Sequence, residues 1–530
     1  MAVFSAGGCI NSGGRSLQVV IRAVATARKR GFFAPDLAFS LALVTLVHCF
    51  FVFGAPQQFF RDSDTGWHIR TGESIFASGA LPRTDPYSFS RPGAPWFAWE
   101  WASDALMGCV HRTLGLGGVV SLFALAVAAS TWCWIRLSWA AGGDFLLACA
   151  LLPLMISTAT LHWLARPHVL SWLFLFAALI AAEKAPPRLR GWHLAAGALF
   201  GALWANMHAS FFLGPVIGLL FAIGRWLNSW IWGENTRRRS IGWLAAMSVA
   251  TAAGSFANPY GWSLHGHIIR YLSDRELLAR VAEFQSFNFH VDGAGRIVAM
   301  YLVCALAATL MIAGRRLDHL LFTLLLLAAS LRSARNLPLL ALLGLPLANA
   351  AIAGALGRAT GLNPRLDELR RRFLDYSAGL RRLDAQLHGL AWAPLLMVVV
   401  FAVGASPHVS ANAGFPPDQF PVAAAAAVDS LPHGARILAP DKFGGYLIYR
   451  FKGQRKVFMD GRSDFYGVEF MKNYIRLVEV RPGWRTEIER FGFTHALLPV
   501  NYSLVDALEH ERWKRVYVDR TAVLLQRPLP

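Results

Sequence analysis

The chain has 530 residues, of which 55% are hydrophobic and only 16% are charged. Soluble proteins carry about 25% charged residues, so this composition excludes an ordinary soluble protein and predicts a membrane protein. The net charge of +19 is compatible with nucleic-acid binding, but most arginines lie between apolar segments, as in loops that face anionic lipid. The sequence has no zinc-ligand spacing or RNA-binding motif, and we predict no nucleic-acid partner.

Residues 1–36 are basic and lack a convincing signal-cleavage site, which predicts a cytoplasmic segment ahead of an uncleaved first span. A spanning helix needs about 20 mainly apolar residues, and residues 37–405 contain about eleven such segments. They are Leu37–Gly54, Leu114–Ile135, Phe145–Thr160, Val169–Ala182, Trp192–Ala205, Phe211–Ile223, Ile241–Ala257, Ile297–Ala313, Leu320–Leu331, Leu337–Leu356 and Leu390–Ala405. The predicted fold is therefore an α-helical polytopic membrane protein.

The arginine distribution predicts the orientation of these spans. With the N-terminus in the cytoplasm, the basic residues Arg136, Lys184, Arg237–Arg239 and Arg315, and the run from Arg358 to Arg382, all fall in inner loops. This is the asymmetry expected from the positive-inside rule. The odd number of spans then places residues 406–530 outside the cytoplasm.

The same threading places nearly every unusual polar cluster on the outer face. These clusters contain Asp62, Asp64, Arg166, His168, His208, Glu283, Arg332 and Arg335. Each taken singly is explained as a snorkelling or capping residue, but ionisable groups at helix ends are costly unless they are paired or functional. Their concentration on one face predicts a single outward-facing polar cavity.

Composition changes after Ser406. Short strand-like segments (ARILAP, KVFMDGR, HALLPV and RVYVD) alternate with helix-like stretches, which predicts a small extracytoplasmic α/β domain over 406–530. The paired glycines of KFGGYLIYR allow a tight turn or a close backbone approach. In MDGRSDFYG, one interpretation is an Asp/Gly turn after a strand; in the other, Asp460, Arg462 and Asp464 lie over the membrane cavity and contact a substrate.

The first outer loop, 56–103, is long, and long ordered loops are often functional. It begins with FRDSDTGWHIRTGESIF, which predicts a helix lying on the bilayer with Trp67 as an interface anchor. Asp62 and Asp64 precede that helix and could cap it, accept a proton from a hydroxyl, or hold a divalent cation, Mg²⁺ or Mn²⁺. Asp85 and Glu100 add two carboxylates later in the loop.

The loop stretch DTGWHIRTGESIFASGALPRTDPYSFSRPGAPWFAWEWASDAL resembles the first outer loop of the GT-C glycosyltransferase superfamily, which includes protein mannosyltransferases. Asp64, Trp67, Gly79 with Pro82, Gly93 with Pro95, and Trp101 occupy the matching places. The whole chain is also similar to a group of bacterial multi-span proteins with this loop, RPH, N-x-H, NPYG, R-N and a terminal DGR-x-D-x-YG. In several GT-C families a second acid directly follows the first, whereas here Thr65 follows Asp64 and Asp62 precedes it.

The resemblance implies a polyprenyl-phosphate-linked sugar donor, a reaction on the outer face of a bacterial plasma membrane, and a loop aspartate as base. The acceptor would be a glycan, a lipid or a protein. We predict an inverting displacement with Asp64 as base and Asp62 as helper or metal ligand. The predicted substrate-binding residues are Arg166, His168, His208, Arg332, Arg335, Asp85, Glu100, Asp460 and Arg462. Arginines suit a phosphate leaving group because their fork binds it bidentately.

Three other functions remain open from the sequence. A lipid or glycan transporter also has many spans, although transporters tend to place ionisable groups near the midplane and in internal repeats. A non-catalytic envelope-assembly protein would use the outer domain to bind a partner, with the loop carboxylates as structural groups. A glycan polymerase or ligase would use the same lipid-linked donors.

Overall fold

The computed structural model describes residues 34–52, 56–235 and 237–528; most of the predicted cytoplasmic segment 1–36 lies outside them. The helices of the first 405 residues are α1 Leu37–Val47, α2 Asp64–Ser78, α3 Trp101–Ala141, α4 Phe145–Ala159, α5 Pro167–Glu183, α6 Gly191–Met207, α7 Leu213–Trp232, α8 Ile241–Gly254, α9 Trp262–Ser273, α10 Arg275–Leu278, α11 Ala294–Ala313, α12 Leu317–Arg332, α13 Leu337–Leu339, α14 Leu345–Arg358, α15 Pro364–Asp384 and α16 Ala393–Gly404. A π-helical stretch, Leu340–Gly344, joins α13 to α14.

Each of the eleven apolar segments predicted above falls on one of these helices. By length and composition, five described helices can cross a membrane, or six if the bent pair Pro364–Asp384 and Gly389–Gly404 counts as one span. Shorter apolar helices, Leu37–Phe51 and Pro167–Glu183, lie beside them. The protein is thus a mostly helical membrane protein, while the number of eleven crossings is not confirmed.

Helix α3 connects the first loop to the bundle. It is 41 residues long, and Gly115 interrupts it with φ of +62°, a left-handed conformation that glycine adopts without the Cβ penalty of other residues. The part before this kink packs on α2, where Gly72 and Gly108 allow contact: a Cβ on Gly72 would lie 1.8 Å from the Asp104 carbonyl oxygen. The first loop is therefore fixed to the bundle by backbone-to-backbone packing.

Residues 406–528 are built around a four-stranded sheet with the strand order β1-β2-β4-β3. Its elements are α17 Pro407–Asn412, α18 Ala425–Asp429, β1 Ile437–Leu438, α19 Asp441–Arg450, α20 Ser463–Val478, α21 Trp484–Phe491, β2 His495–Pro499, α22 Ser503–His510, β3 Lys514–Val518 and β4 Ala522–Gln526. Strand β1 pairs parallel with β2, whereas β4 pairs antiparallel with both β2 and β3. The strands predicted from ARILAP, HALLPV and RVYVD are confirmed.

The structure decides between the two alternatives for KFGGYLIYR and contradicts the strand predicted for KVFMDGR. KFGGYLIYR forms helix α19 rather than a turn, and its glycines serve the close approach instead: a Cβ on Gly445 would lie 2.2 Å from the carbonyl oxygen of Ser63. KVFMDGR is not a strand of the sheet, because Val457 bonds to the first loop. Its N–H donates to the Tyr87 carbonyl at 2.9 Å, and its carbonyl accepts the Phe89 N–H at 3.0 Å.

Helix α2 consequently lies between α3 and α19 rather than exposed on the bilayer surface. Trp67, expected to anchor the helix at the membrane interface, is 5% exposed and packs on Trp96 with ring centroids 6.1 Å apart. The interface-anchor interpretation of Trp67 is therefore wrong. Trp96 of the same loop covers part of this side chain, and little of it is left to contact lipid.

An ionic network joins the helix ends furthest from the first loop. Arg316 donates to Glu183 at 3.1 Å and to Asp318 at 2.9 Å, and Arg225 donates to the Ala182 carbonyl at 2.7 Å. Glu183 ends α5, Arg225 lies on α7 and Asp318 begins α12. Arg225 and Arg316 thus meet the carboxylates of Glu183 and Asp318 at one end of the bundle.

Candidate active site

A cavity of about 280 Å³ lies at the end of the bundle where α3 begins, opposite the ionic network. Its polar wall contains Asp64, Glu100, His162, Arg166, His168, His208, Glu283, Arg335, Arg462 and Asp464. Its apolar wall includes Trp172, Leu175, Phe212, Leu213, Pro338 and Leu339, from helices α5, α7, α13 and the turn before α7. Polar groups separated by up to 400 positions in the sequence therefore share one cavity beside the membrane helices.

Asp64 begins helix α2 and is tied to Arg166. The Arg166 Nη2 lies 2.9 Å from Asp64 Oδ2, and its Nη1 lies 2.8 Å from Asp62 Oδ2. Asp62 Oδ1 also accepts the backbone N–H of Asp64 at 2.8 Å, which orients the start of the helix. Arg166 enters the site because it directly precedes Pro167, the first residue of α5, so its extended backbone is set by the following proline.

Burial controls the protonation of the Asp64 carboxyl group. Desolvation raises the pKa of Asp64 to about 7, against the opposing effect of Arg166, because a buried carboxylate loses its water. Burial alone would lower the pKa of Arg166, but Asp62, Asp64 and Glu283 raise it well above its usual value. Asp64 is therefore a carboxyl group that exchanges its proton near neutral pH, beside a permanently charged guanidinium.

Glu283 holds the second arginine of the cavity. Arg335 Nη1 donates to Glu283 Oε1 at 3.0 Å, and Ser333 Oγ donates to the Glu283 carbonyl at 2.9 Å. Burial raises the pKa of Glu283, but Arg335 and Arg166 outweigh it and lower the value to about 2. The RSARN loop is thus held against the EFQSF loop with the Arg335 guanidinium facing the cavity.

Glu100 and two histidines form a separate polar group. The backbone N–H of Ser210 donates to His208 Nδ1 at 3.0 Å, so the ring proton lies on Nε2, which faces Glu100 Oε1 at 3.3 Å. Glu100 Oε2 is 3.8 Å from His68 Nε2, and His68 Nδ1 is 2.6 Å from Asp104 Oδ1. Burial raises the pKa of Glu100 to about 7. His208 is therefore oriented by Ser210 and contacts the Glu100 carboxylate.

The MDGRSDFYG segment closes the cavity from the C-terminal side. A Cβ on Gly461 would lie 2.0 Å from Asp64 Oδ1, so this glycine packs directly on the carboxylate. Arg462 donates through Nη2 to Asp460 at 2.7 Å and to Asp85 at 2.8 Å. Asp85 and Asp460 thus stand behind Arg462, which lines the cavity, and their carboxylates are engaged by that guanidinium.

The remaining predicted residues divide between the cavity and its surroundings. His168 lines the cavity and donates through Nε2 to the His162 carbonyl at 3.1 Å. Arg332 is exposed at the end of α12 and outside the cavity lining. The structure therefore brings together Asp64, Arg166, His168, His208, Glu100, Arg335 and Arg462, with Asp62 bound to Arg166 from the side.

Helix α9 supplies residues that the sequence prediction missed. His267 Nε2 contacts Asp464 Oδ2 at 3.0 Å, and the Tyr271 hydroxyl lies 2.9 Å from Ser463 Oγ. These two side chains are four positions apart in WSLHGHIIRY and so share a helix face, a signal that was present in the sequence. Trp99 and His162 also line the cavity without having been assigned a role.

The predicted divalent-cation site rests on Asp62 and Asp64. In the structure the Arg166 guanidinium contacts both carboxylates. Among the described residues, the group of three potential ligands with the closest donor atoms is Glu183, Asp318 and His319, with atoms within 4.8 Å of one another. That group lies in the ionic network at the far end of the bundle. A divalent cation at Asp62 and Asp64 would have to take the place of the Arg166 guanidinium.

No family model and no curated protein matches the chain, but solved structures do. Oligosaccharyltransferase AglB from Archaeoglobus fulgidus, solved with an inhibitory peptide and a dolichol-phosphate, aligns with a TM-score of 0.56 at 11% identity, over 87% of this chain and 69% of AglB. The apo form of the Archaeoglobus fulgidus oligosaccharyltransferase aligns with a TM-score of 0.51 over the same shares, also at 11% identity. The chain has the GT-C fold. The resemblance of the first loop to GT-C enzymes is thereby confirmed at the level of fold.

A third structure, ArnT from Cupriavidus metallidurans bound to undecaprenyl phosphate, has 16% identity and a TM-score of 0.48, over 92% of this chain and 97% of ArnT. Of the loop residues that carry the sequence resemblance, Asp64 and Trp67 line the cavity. At these identities the fold is shared, and chemistry has to be argued from the cavity itself.

Proposed function

We propose that this protein is a membrane glycosyltransferase that moves a sugar from a polyprenyl-phosphate-linked donor to an acceptor hydroxyl, with inversion at the anomeric carbon. The observation that carries the proposal is the cavity in which a carboxyl group with a pKa of about 7, Asp64, lies beside Arg166 and within the same walls as Arg335. A base and fixed cations in one enclosed space are what transfer from a phosphate-linked sugar requires.

In the proposed reaction, Asp64 takes the proton of the acceptor hydroxyl as the oxygen attacks the anomeric carbon. The bond between that carbon and the phosphate oxygen breaks, and polyprenyl phosphate leaves with the electron pair. Arg166 and Arg335 neutralise its charge, and the apolar wall with Trp172, Leu175 and Leu339 receives the first part of the polyprenyl chain. The acceptor is a glycan, a lipid or a protein, and the reaction takes place on the outer face of a bacterial plasma membrane.

The resting ion pairs explain how the base becomes available. Arg166 contacts both Asp62 and Asp64 through separate nitrogens. A donor phosphate competes for the same guanidinium, since Arg binds phosphate bidentately, and draws Arg166 away from Asp64. Asp62 keeps the backbone of Asp64 in place through its Oδ1. Binding of the donor is therefore coupled to release of the base.

Asp62 and Asp64 are also the residues that would hold Mg²⁺ or Mn²⁺, which would supply positive charge for the departing phosphate. Transfer measured in EDTA, and again after addition of Mg²⁺ or Mn²⁺, distinguishes the two sources of charge. Activity that survives chelation assigns the charge to the arginines. Activity that returns only with the metal assigns it to the ion.

The deciding experiment follows radiolabelled sugar from polyprenyl phosphate in membranes that contain the protein. Asp64→Asn removes the base without changing the size of the side chain, and we expect transfer to be lost while membrane insertion is unchanged. Turnover at the wild-type rate in this variant contradicts the assignment of Asp64. Equal label release from membranes with and without the wild-type protein excludes the transferase and favours the transporter or assembly functions.

A further inference from the structure

Helix α15, Pro364–Asp384, lies at the end of the bundle furthest from the cavity. Its C-terminal half is fixed there by polar contacts: Asp384 Oδ1 accepts the backbone N–H of Leu37 at 2.8 Å, Arg381 Nη2 donates to the Trp139 carbonyl at 3.2 Å, and Ser377 Oγ bonds to Asp144. Trp139 ends the long helix that begins at the cavity. The position of α15 relative to the bundle is therefore defined by buried groups.

One face of α15 is apolar and uncovered by the described residues. Leu369, Tyr376 and Leu383 follow one another at seven-residue intervals, so they form a stripe along the helix, and their exposed fractions are 65%, 62% and 50%. Arg365 and Arg372 border this stripe. Arg372 donates through Nε to Glu368 Oε1 at 2.7 Å and still keeps 77% of its side chain exposed, so its remaining donors are open to a ligand. An apolar stripe edged by arginines is the composition of helices that lie in the membrane interface.

The stripe continues an apolar surface that belongs to a membrane helix. Helix α15 and the following segment Gly389–Gly404 meet at an angle of 41°. On that segment Leu390, Leu395 and Val398 are exposed, as lipid-facing residues of a span are. Leu383 lies next to this junction, so the stripe begins beside the apolar surface of that segment.

We propose that the Leu369–Tyr376–Leu383 face of α15 docks on the headgroup layer of the membrane in which the protein sits, with Arg365 and Arg372 binding anionic lipid headgroups. Burying three large apolar side chains in the interface is favourable, and basic residues near an anionic surface are attracted to it. The site is distinct from the cavity and independent of the proposed transferase activity. Its ligand is an anionic phospholipid surface.

The test uses the full chain in nanodiscs that contain phosphatidylglycerol, with its six cysteines replaced by alanine. An environment-sensitive fluorophore is attached at Leu369→Cys or, as matched control, at Arg371→Cys, two positions further and hence on the other side of the helix. We expect the label at 369 to be quenched by nitroxide lipids and shielded from iodide, and the label at 371 to show the reverse.

Iodide quenching at 369 equal to that at 371 overturns the proposal, because the face is then exposed to water. Shielding of 369 from both quenchers also overturns it, because protein then covers the face, either a second copy or residues 1–33 of the chain. A second measurement avoids the cysteine replacements. The thermal midpoint of the wild-type chain should be higher in phosphatidylglycerol than in phosphatidylcholine nanodiscs, and Arg365→Gln with Arg372→Gln should reduce that difference; an unchanged difference contradicts the headgroup contacts.

Discussion

Asp64 shows how far a single residue can be understood from sequence. Its position after the first apolar segment, in a loop that resembles GT-C loops, singled it out as the base. The sequence could not show that Arg166 lies 2.9 Å away or that Gly461 packs on its carboxylate, because both neighbours come from distant segments. Glu283 likewise was noted as a polar residue of the same face, but its pairing with Arg335 depends on two loops meeting in three dimensions.

The protonation of Asp64 predicts the pH dependence of transfer. A carboxyl group whose pKa is raised to about 7 is protonated below that pH and cannot accept a proton, so we expect kcat/KM, which reports the enzyme before the donor displaces Arg166, to rise with pH through about 7. Glu100 has a pKa in the same range. The control is therefore Glu100→Gln, which should retain the step, and a rate that is already maximal near pH 5 contradicts Asp64 as the base.

The two arginines of the RSARN loop provide a matched pair. Arg335 faces the cavity and pairs with Glu283, whereas Arg332 is exposed outside it. Removing a charged hydrogen bond to phosphate costs about 1.5–3 kcal/mol, so Arg335→Ala should weaken donor binding by about tenfold or more. Arg332→Ala should leave donor affinity unchanged, and equal affinities in the two variants would remove Arg335 from the phosphate site.

At the scale of elements, hydrophobic periodicity predicted the helices well and the partners of α2 poorly. The helix after Asp62 was expected because its apolar residues fit a helical spacing, but a helix that packs on lipid and one that packs on protein have the same pattern. The deciding feature is the close approach to α19, where a Cβ on Gly66 would lie 2.1 Å from the Gly445 carbonyl oxygen. Sequence KFGGYLIYR suggested this approach but not the helix that makes it.

The close approach of Gly66 to Gly445 predicts how adding a methyl group at position 66 changes the stability of the protein. Gly66→Ala places a Cβ against backbone that cannot yield easily, and such overpacking costs about 1–3 kcal/mol. We expect a lower thermal midpoint for the purified protein in detergent. Gly379→Ala is the control: its Cβ would meet nothing within 4 Å, and alanine favours a helix over glycine, so that variant should be as stable as the wild type or more so.

For the whole molecule, the grouping of polar clusters on one face predicted a polar cavity, and a cavity lined by several of those residues is present. The packing of the C-terminal region against the first loop was less predictable. It depends on hydrogen bonds such as those between Val457 and residues 87 and 89, which no local pattern signals. The predicted membrane domain, 37–405, and the predicted outer domain, 406–530, thus both contribute residues to the same cavity.

A substitution at Gly461 tests whether the C-terminal region positions Asp64. Gly461→Ala would place a Cβ 2.0 Å from Asp64 Oδ1 and push the base from its position. Misplacement of a reacting group by about 1 Å can cost about 10²-fold in rate, so kcat should fall strongly while the protein still folds. Gly434→Ala, in open space of the same region, should have wild-type kcat, and a wild-type rate in Gly461→Ala would show that the C-terminal wall does not position Asp64.

The contact between Asp64 and Gly461 can form only late in the synthesis of the chain. Asp64 is among the first membrane-proximal residues to leave the ribosome, whereas Gly461 follows almost 400 positions later. All the intervening helices are inserted before the carboxylate receives its last neighbour. A nascent chain stalled anywhere before the C-terminal sheet region therefore carries a cavity without its C-terminal wall, and its Asp64 carboxylate still lacks the Gly461 neighbour.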